Sequence, residues 1–281
     1  MPERVTSAKS DRVTAVRVLH ARPGRRKAGR FVVEGPQGVR SALVAGVVVR
    51  DLFMDEEAGV ELPDIVATAD AAGIPITWTS PEALSAMAET RQPQGVLAVC
   101  DLIADGDLDA VMAATGPIVV LDAVTDPGNA GTVIRTADAA GAVGVILTRG
   151  CVDVHNGKVV RSTAGSLFHL PVISEVTVEE VVAAASRQGR ALAVLAADGD
   201  EDLFEAADAA LVCPRTCWIV GSEAHGVSSA ARAAAHVTVR IPMQGRAESL
   251  NAAVAAAVVL YVAEHAFRTR RRGVDSGPDA D

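Results

Sequence analysis

Three short stretches combine side chains able to hold and activate a ligand with small residues that let a backbone approach one. The first, LDAVTDPGNAGTVIRTADAAG (Leu121–Gly141), ends an apolar run in Asp122. It then passes through Pro127, Gly128, Asn129 and Gly131 into a helical pattern carrying Arg135. A guanidinium there can grip a phosphate or ribose at the helix mouth; the same residues also read as a capped helix with a surface arginine. The second, WIVGSEAHGVS (Trp218–Ser228), runs through Gly221 to Glu223 and Gly226. Glu223 can accept hydrogen bonds from a ligand or orient Arg135, and equally suits a helix N-terminus. His225 in the same turn reads first as an exposed loop histidine and second as a proton carrier. The third, IPMQGRAESLNAAVA (Ile241–Ala255), leaves a strand at Pro242 and enters a helix through Ser249 and Asn251. Ser249 reads as the N-cap. Asn251 is a poor helix former whose amide needs partners, which a ligand can supply.

Each stretch follows an apolar strand pattern: Pro117–Asp122, Trp218–Gly221 and Val237–Ile241. Between them the sequence predicts a helix over Gly131–Ala140, a strand over Val143–Leu147, a helical segment over Arg161–Phe168 and a strand over Pro171–Ile173. A helix over Val178–Gln188, a strand over Arg190–Ala196, a helix over Ser228–Ala235 and a long helix over Ser249–Arg268 complete the series. Apolar strands alternating with helices predict an α/β fold with a parallel sheet covered on both faces. Ligands collect at the carboxyl ends of such strands, where all three stretches lie. A smaller α/β unit precedes this one, with strands near Phe31–Gly35, Val47–Met54, Ile74–Trp78 and Gly95–Cys100 and helices over Gln37–Ala45, Leu62–Ala72 and Pro81–Glu89. The acidic, Ala-rich Asp101–Gly116 marks the boundary, giving units 1–105 and 116–268 and a charged tail, 269–281, expected to be disordered.

The 281 residues suit two compact domains, and with 49% hydrophobic but only 3% aromatic residues the cores must be aliphatic. The net charge of −9 argues against a nucleic-acid binder until its distribution is read. Met1–Arg50 holds eleven Lys and Arg against three acidic residues, a basic head of +8 on a body of −17. Such a head, with an arm over 1–30, can track phosphates or remain a solvated, partly disordered arm. The four cysteines (Cys100, Cys151, Cys213, Cys217) lack zinc-site spacing and read as buried thiols, so no metal is expected. The most apolar stretch, Ala252–Ala263, is too short for a membrane span and no signal-peptide core opens the chain, which predicts a cytoplasmic protein without a membrane.

In this order and spacing the three stretches resemble the motifs of the SpoU (TrmH-like) family of SPOUT RNA methyltransferases, over about 117–268 and including RSTAGSLFHLPV (Arg161–Val172). The region around FVVEGPQGVRSAL resembles the RNA-binding extension of that family, a small ribosomal-protein-like α/β sandwich. The resemblance implies a parallel-sheet SPOUT domain closed by a deep trefoil knot, against the rule that chains stay unknotted. It implies S-adenosylmethionine as cofactor, held largely through backbone groups at Gly221, Ile241 and Leu250, and a homodimer with the site near its interface. It implies a catalytic cluster of Asn129, Arg135, Glu223, Ser249 and Asn251 and methyl transfer to a ribose 2'-hydroxyl of structured RNA, ribosomal RNA before tRNA. A guanidinium stays protonated at neutral pH, so Arg135 is expected to clamp a phosphate and stabilise the developing alkoxide, with Glu223 and Asn129 orienting it.

Two other classes stay open to test. A nucleotide-dependent oxidoreductase needs a GxGxxG turn after its first strand, and DPGNAG is not one. A non-catalytic RNA- or ribosome-binding protein with the same fold would bind RNA and transfer no methyl group.

Overall fold

The computed structural model describes residues 4–222 and 224–275, with the backbone alone for 270–275. The chain forms two units, Met1–Ala104 with Asp153–His169, and Asp105–Val152 with Leu170–Asp281.

The first unit begins with β1 (Arg4–Val5), α1 (Asp11–Val18), α2 (Arg22–Ala28), β2 (Arg30–Glu34), α3 (Pro36–Val44) and β3 (Val49–Asp55). It continues through α4 (Glu56–Glu61), α5 (Pro63–Ala71), β4 (Ile76–Thr79), α6 (Pro81–Met87) and β5 (Val96–Asp101). Its sheet has the order β1-β4-β3-β5-β2, with β5 antiparallel to both neighbours. Val13 and Val16 of α1 and Leu84 and Met87 of α6 bury their apolar sides on one core with Val32, Phe53 and Leu97.

The second unit carries α7 (Leu108–Ala113), β6 (Ile118–Asp122), α8 (Pro127–Ala139) and β7 (Gly144–Thr148). The chain then leaves it to place α9 (Gly157–Ser162) and a 3-10 turn (Ser166–Phe168) in the first unit. It returns with β8 (Val172–Val176), α10 (Val178–Arg187), β9 (Leu192–Leu195), β10 (Glu201–Asp202) and α11 (Leu203–Asp208). The unit closes with β11 (Cys217–Gly221), α12 (Ser229–Ala234), β12 (Val237–Arg240) and α13 (Ala252–Asp275). The seven strands are parallel in the order β10-β12-β9-β11-β6-β7-β8. All five residues of β6 and of β7 are buried, as a sheet covered on both faces requires. Ile118, Val120 and Ile219 share one core with α7, α10 and α12, while α13 packs on α8 and α11.

Four expectations need correction. Of the segment expected as an arm over 1–30, the described residues from Arg4 on fold into β1, α1 and α2; Ser10 caps α1 and Arg25 is buried, donating to the Leu19 and His20 carbonyls and to Asp153. The division at 105 and 116 has no place for Asp153–His169, which joins the first unit because Phe31 packs on His155 and Phe168, with ring centroids 4.8 and 6.4 Å apart. The last helix begins at Ala252 rather than Ser249, because Asn251 is its cap, accepting from the backbone of Ala253 and Val254. It continues to Asp275, so part of the expected tail is helix, supported by Glu264 and Arg268 one turn apart. The remaining tail, 276–281, lies outside the described residues. The stretch Ala252–Thr269 is, by length and composition, apolar enough to cross a membrane. Here its apolar side packs against α8, α11 and β11, the use a core helix makes of the same composition.

Candidate active site

The carboxyl ends of β9, β11 and β12, three adjacent strands, meet the start of α13 around a cavity of about 370 Å³. Leu195 and Val220 supply apolar wall; Gly221 ends β11 and Ser222 follows it; Ile241 follows β12; Ser249 and Leu250 precede α13. Thus Gly221, Ile241, Leu250 and Ser249, all singled out from the sequence, line one space. Gly221 is required by geometry. A Cβ there would lie 2.2 Å from the backbone of Gly226, because the chain folds straight back, with the Gly226 N–H donating to the Ser222 carbonyl at 2.8 Å. Gly226 itself has φ +65°, where glycine carries no strain. The 241–250 loop makes no backbone–backbone hydrogen bond among the described residues outside the strand it leaves. Apolar walls beside free peptide groups fit an adenosine held by its edges, the chemistry expected of S-adenosylmethionine.

The first and third stretches meet directly. The Asn251 side-chain amide donates to the Asn129 side-chain oxygen at 2.9 Å, while the Asn251 oxygen caps α13. Asn129 is held in turn by Asp126, the N-cap of α8, which accepts from the Asn129 backbone N–H at 2.8 Å. Ser249 is exposed and lines the cavity rather than capping the helix. Arg135 lies on the third turn of α8, beyond the helix mouth, and is exposed without a hydrogen bond or ion pair among the described residues. Nothing in the described structure ties it to the cavity. Glu223 lies outside the described residues. His225 is exposed in the turn, its backbone N–H donating to the Ser222 hydroxyl.

Asp122 and Glu248 are two further candidates that the sequence did not single out. Glu248 lines the cavity, one residue before Ser249. Asp122 is 3% exposed and has no basic partner among the described residues. Its carboxylate accepts from the Thr148 hydroxyl at 3.1 Å and from the Ser228 backbone N–H at 2.7 Å. It therefore joins the end of β6, from which the first stretch starts, to the residue that ends the second. Beside it Ala123 has φ +52°, a left-handed conformation costly for a residue with a Cβ, and its N–H is held by the Thr148 hydroxyl. The available signal was a carboxylate at the end of a fully apolar strand, a place where a charge needs a reason.

Burial pushes the thiol of Cys217 up to about 11 and that of Cys100 up to about 12, so both stay protonated and serve neither as nucleophile nor as metal ligand at neutral pH. No group of three or more metal-ligating side chains occurs among the described residues.

Two family profiles match the chain: the SpoU rRNA Methylase family over residues 116–261 and the MRM3-like substrate binding domain over 10–98. The chain is similar to the 23S rRNA (guanosine(2553)-2'-O)-methyltransferase RlmP of Bacillus subtilis, 34% identical over 261 residues that cover 92% of this chain and 98% of that protein. It is also similar to the 23S rRNA (uridine(2479)-2'-O)-methyltransferase of Streptomyces viridochromogenes, 37% identical over 258 residues covering 88% of this chain and 86% of that one. Among solved structures, an AdoMet-bound rRNA methyltransferase from Sinorhizobium meliloti matches with a TM-score of 0.83 at 28% identity, covering 94% of this chain and 97% of that one.

Proposed function

The chain belongs to the SpoU rRNA methylase family, and from that premise we propose that it transfers the methyl group of S-adenosylmethionine to a ribose 2'-hydroxyl of 23S ribosomal RNA. The observation that carries the reading is the convergence of the second and third stretches on one cavity, with Asn251 set between two cavity-lining residues and bonded to Asn129 of the first.

Bound S-adenosylmethionine supplies an electrophilic methyl on a sulfonium, so the work left to the protein is placement and charge control. Backbone groups at Gly221, Ile241 and Leu250 would hold the adenosine, and Leu195 and Val220 would exclude water from it. Glu248 accepts from the ribose hydroxyls of the cofactor. The Asn129–Asn251 pair, locked from both helix ends, sets one wall against which the target ribose is aligned. Arg135 clamps the nucleotide phosphate and stabilises the alkoxide as it forms, with Glu223 orienting it and Ser249 contributing a hydroxyl. The working form in this reading is a homodimer whose second copy brings Arg135, exposed on α8, to a site. The exposed Val254 and Tyr261 of α13 give such an interface apolar surface. The reading also carries the trefoil knot. Its support is the order of laying down: β12, the last strand, pairs beside β9, after which the chain returns to pack α13 on α8. RNA is bound through the first unit by the cations left without carboxylate partners, and the reaction belongs to the cytoplasm, where ribosomes are modified.

The named relatives act on different nucleotides of the same RNA. The test is therefore transfer of labelled methyl to unmethylated 23S rRNA, with the site mapped by protection from alkaline hydrolysis. A single new protected position is expected. RNA binding with no transfer would leave a binding protein on an enzyme's fold; transfer to tRNA alone would overturn the substrate.

A further inference from the structure

The RSTAG segment and the FVVEG segment, both prominent in the sequence, are not used by the cavity just described. They meet elsewhere, inside the first unit. The guanidinium of Arg161 donates to Glu34 at 3.2 Å and to Glu89 at 3.1 Å. Glu34, its side chain only 7% exposed, also accepts from the backbone N–H groups of Glu89 and Thr90 and from the Thr90 hydroxyl. Glu89 is in addition paired with His20. Arg161 is thus oriented by two carboxylates, one of which is itself fixed by three donors.

This clamp forms one wall of a separate cavity of about 100 Å³. That is the room of about three waters, enough to admit the edge of one ring and far too little for a base pair. Its floor is apolar, from residues such as Leu84 and Leu97, which are 1% exposed. Its rim carries Gln92 and Gln94, both exposed, which bring amide groups with a donor and an acceptor side by side. The opening is kept clear at Gly35. A Cβ there would stand 2.9 Å from the Gln94 side-chain oxygen, and the φ of +87° also excludes a side chain.

A small cavity with an apolar floor, carboxamides at its rim and an immobilised guanidinium in its wall matches how single-stranded RNA is read. Proteins splay a base out, sandwich its face and hydrogen-bond its edge. Phosphate is a poor occupant, because Glu34 and Glu89 neutralise the Arg161 cation in the wall. We propose that this cavity takes one unstacked nucleobase of the RNA substrate, with Gln92 and Gln94 reading its edge. It would set which RNA is methylated, not how. The proposal rests on the RNA-methyltransferase reading above.

Gln92→Met and Gln94→Met keep side-chain volume and remove the hydrogen-bonding edge at exposed positions, so both variants should fold. Binding of unmethylated 23S rRNA is measured across a salt series, together with S-adenosylmethionine binding by calorimetry. A base contact predicts RNA affinity lower by about tenfold per variant, an unchanged dependence on salt, and unchanged cofactor affinity. Unchanged RNA affinity in the double variant overturns the proposal. So does a weaker affinity with a shallower salt slope, which marks a phosphate contact instead. A wild-type protein that neither binds nor methylates the rRNA would sink the underlying function, a result distinct from both.

Discussion

Asn251 shows how one side chain can serve two demands at once. Its oxygen closes the N-terminus of α13 and its amide reaches Asn129, so truncation removes a cap and a site contact together. The two are separable. Asn251→Ser keeps an oxygen for the cap but is too short to reach Asn129; Asn251→Ala keeps neither. Thermal unfolding should show a loss of about 1 kcal/mol for Ala and little for Ser. Single-turnover methyl transfer should fall at least tenfold in both. Equal, normal rates in the serine variant would remove Asn129–Asn251 from the machinery. Asp122 permits a similar split. Asp122→Ala strands the Ser228 N–H and should cost about 1–3 kcal/mol, with weaker cofactor binding in the folded protein. Asp122→Asn still offers an acceptor to Ser228, while the Thr148 hydroxyl can turn to the Arg149 carbonyl at 3.5 Å, so it should retain most of both. Asn251 was legible in the sequence because an amide at a helix start looks out of place. Its capping role was not, since whether Ser249 or Asn251 caps depends on where the loop delivers the chain.

At the scale of elements, the tight return after β11 and the anchoring of α7 carry most of the risk. Gly221→Ala places a Cβ against the Gly226 backbone, which cannot yield without opening the Ser222–Gly226 bridge. Because the clash falls at the strand's end rather than in the core, the sheet should survive while cofactor affinity drops tenfold or more by calorimetry. The start of the second unit hangs on Arg190, which is 2% exposed and donates to the carbonyls of Met112, Ala114, Gly116 and Arg215. A lysine offers three donors at one point rather than a planar fork, so Arg190→Lys should lower the melting temperature clearly and Arg190→Met more so. Strands and helices of this unit were readable from period and apolar runs because a buried parallel sheet leaves no polar alternation to confuse them. The excursion of α9 into the other unit was not readable. Its partner is chosen by Phe31 packing on Phe168 and His155, a contact between residues more than a hundred positions apart.

Taken as a whole, the molecule disposes of its charge in a way the linear sequence conceals. Of the eleven cations in the first fifty residues, Arg4, Arg12, Arg22, Arg25, Arg30, Arg40 and Arg50 are in ion pairs with carboxylates, five of them with partners beyond that stretch other than Asp153. Lys9, Arg17, Arg26 and Lys27 have no such partner among the described residues and are exposed. Counting by unit, the first holds fourteen basic and fourteen acidic residues, so the basic head dissolves once the chain folds. The sequence could show where cations cluster but not that Asp51, Asp64, Asp101 and Asp153 would be folded against them. The consequence is measurable. Left free, the eleven cations would contribute about −10 to the log–log salt slope of RNA binding, whereas four contribute about −4, added to what the exposed Arg91 and the phosphate clamp Arg135 bring. Substituting Lys9, Arg17, Arg26 and Lys27 by Ala one at a time should flatten the slope by about one each. Arg40→Ala and Arg50→Ala should leave it unchanged, because their charge is already spent on Asp64 and Asp101. A flattening in the Arg40 and Arg50 variants would mean that those ion pairs open on RNA and that the free protein's pairing does not govern recognition.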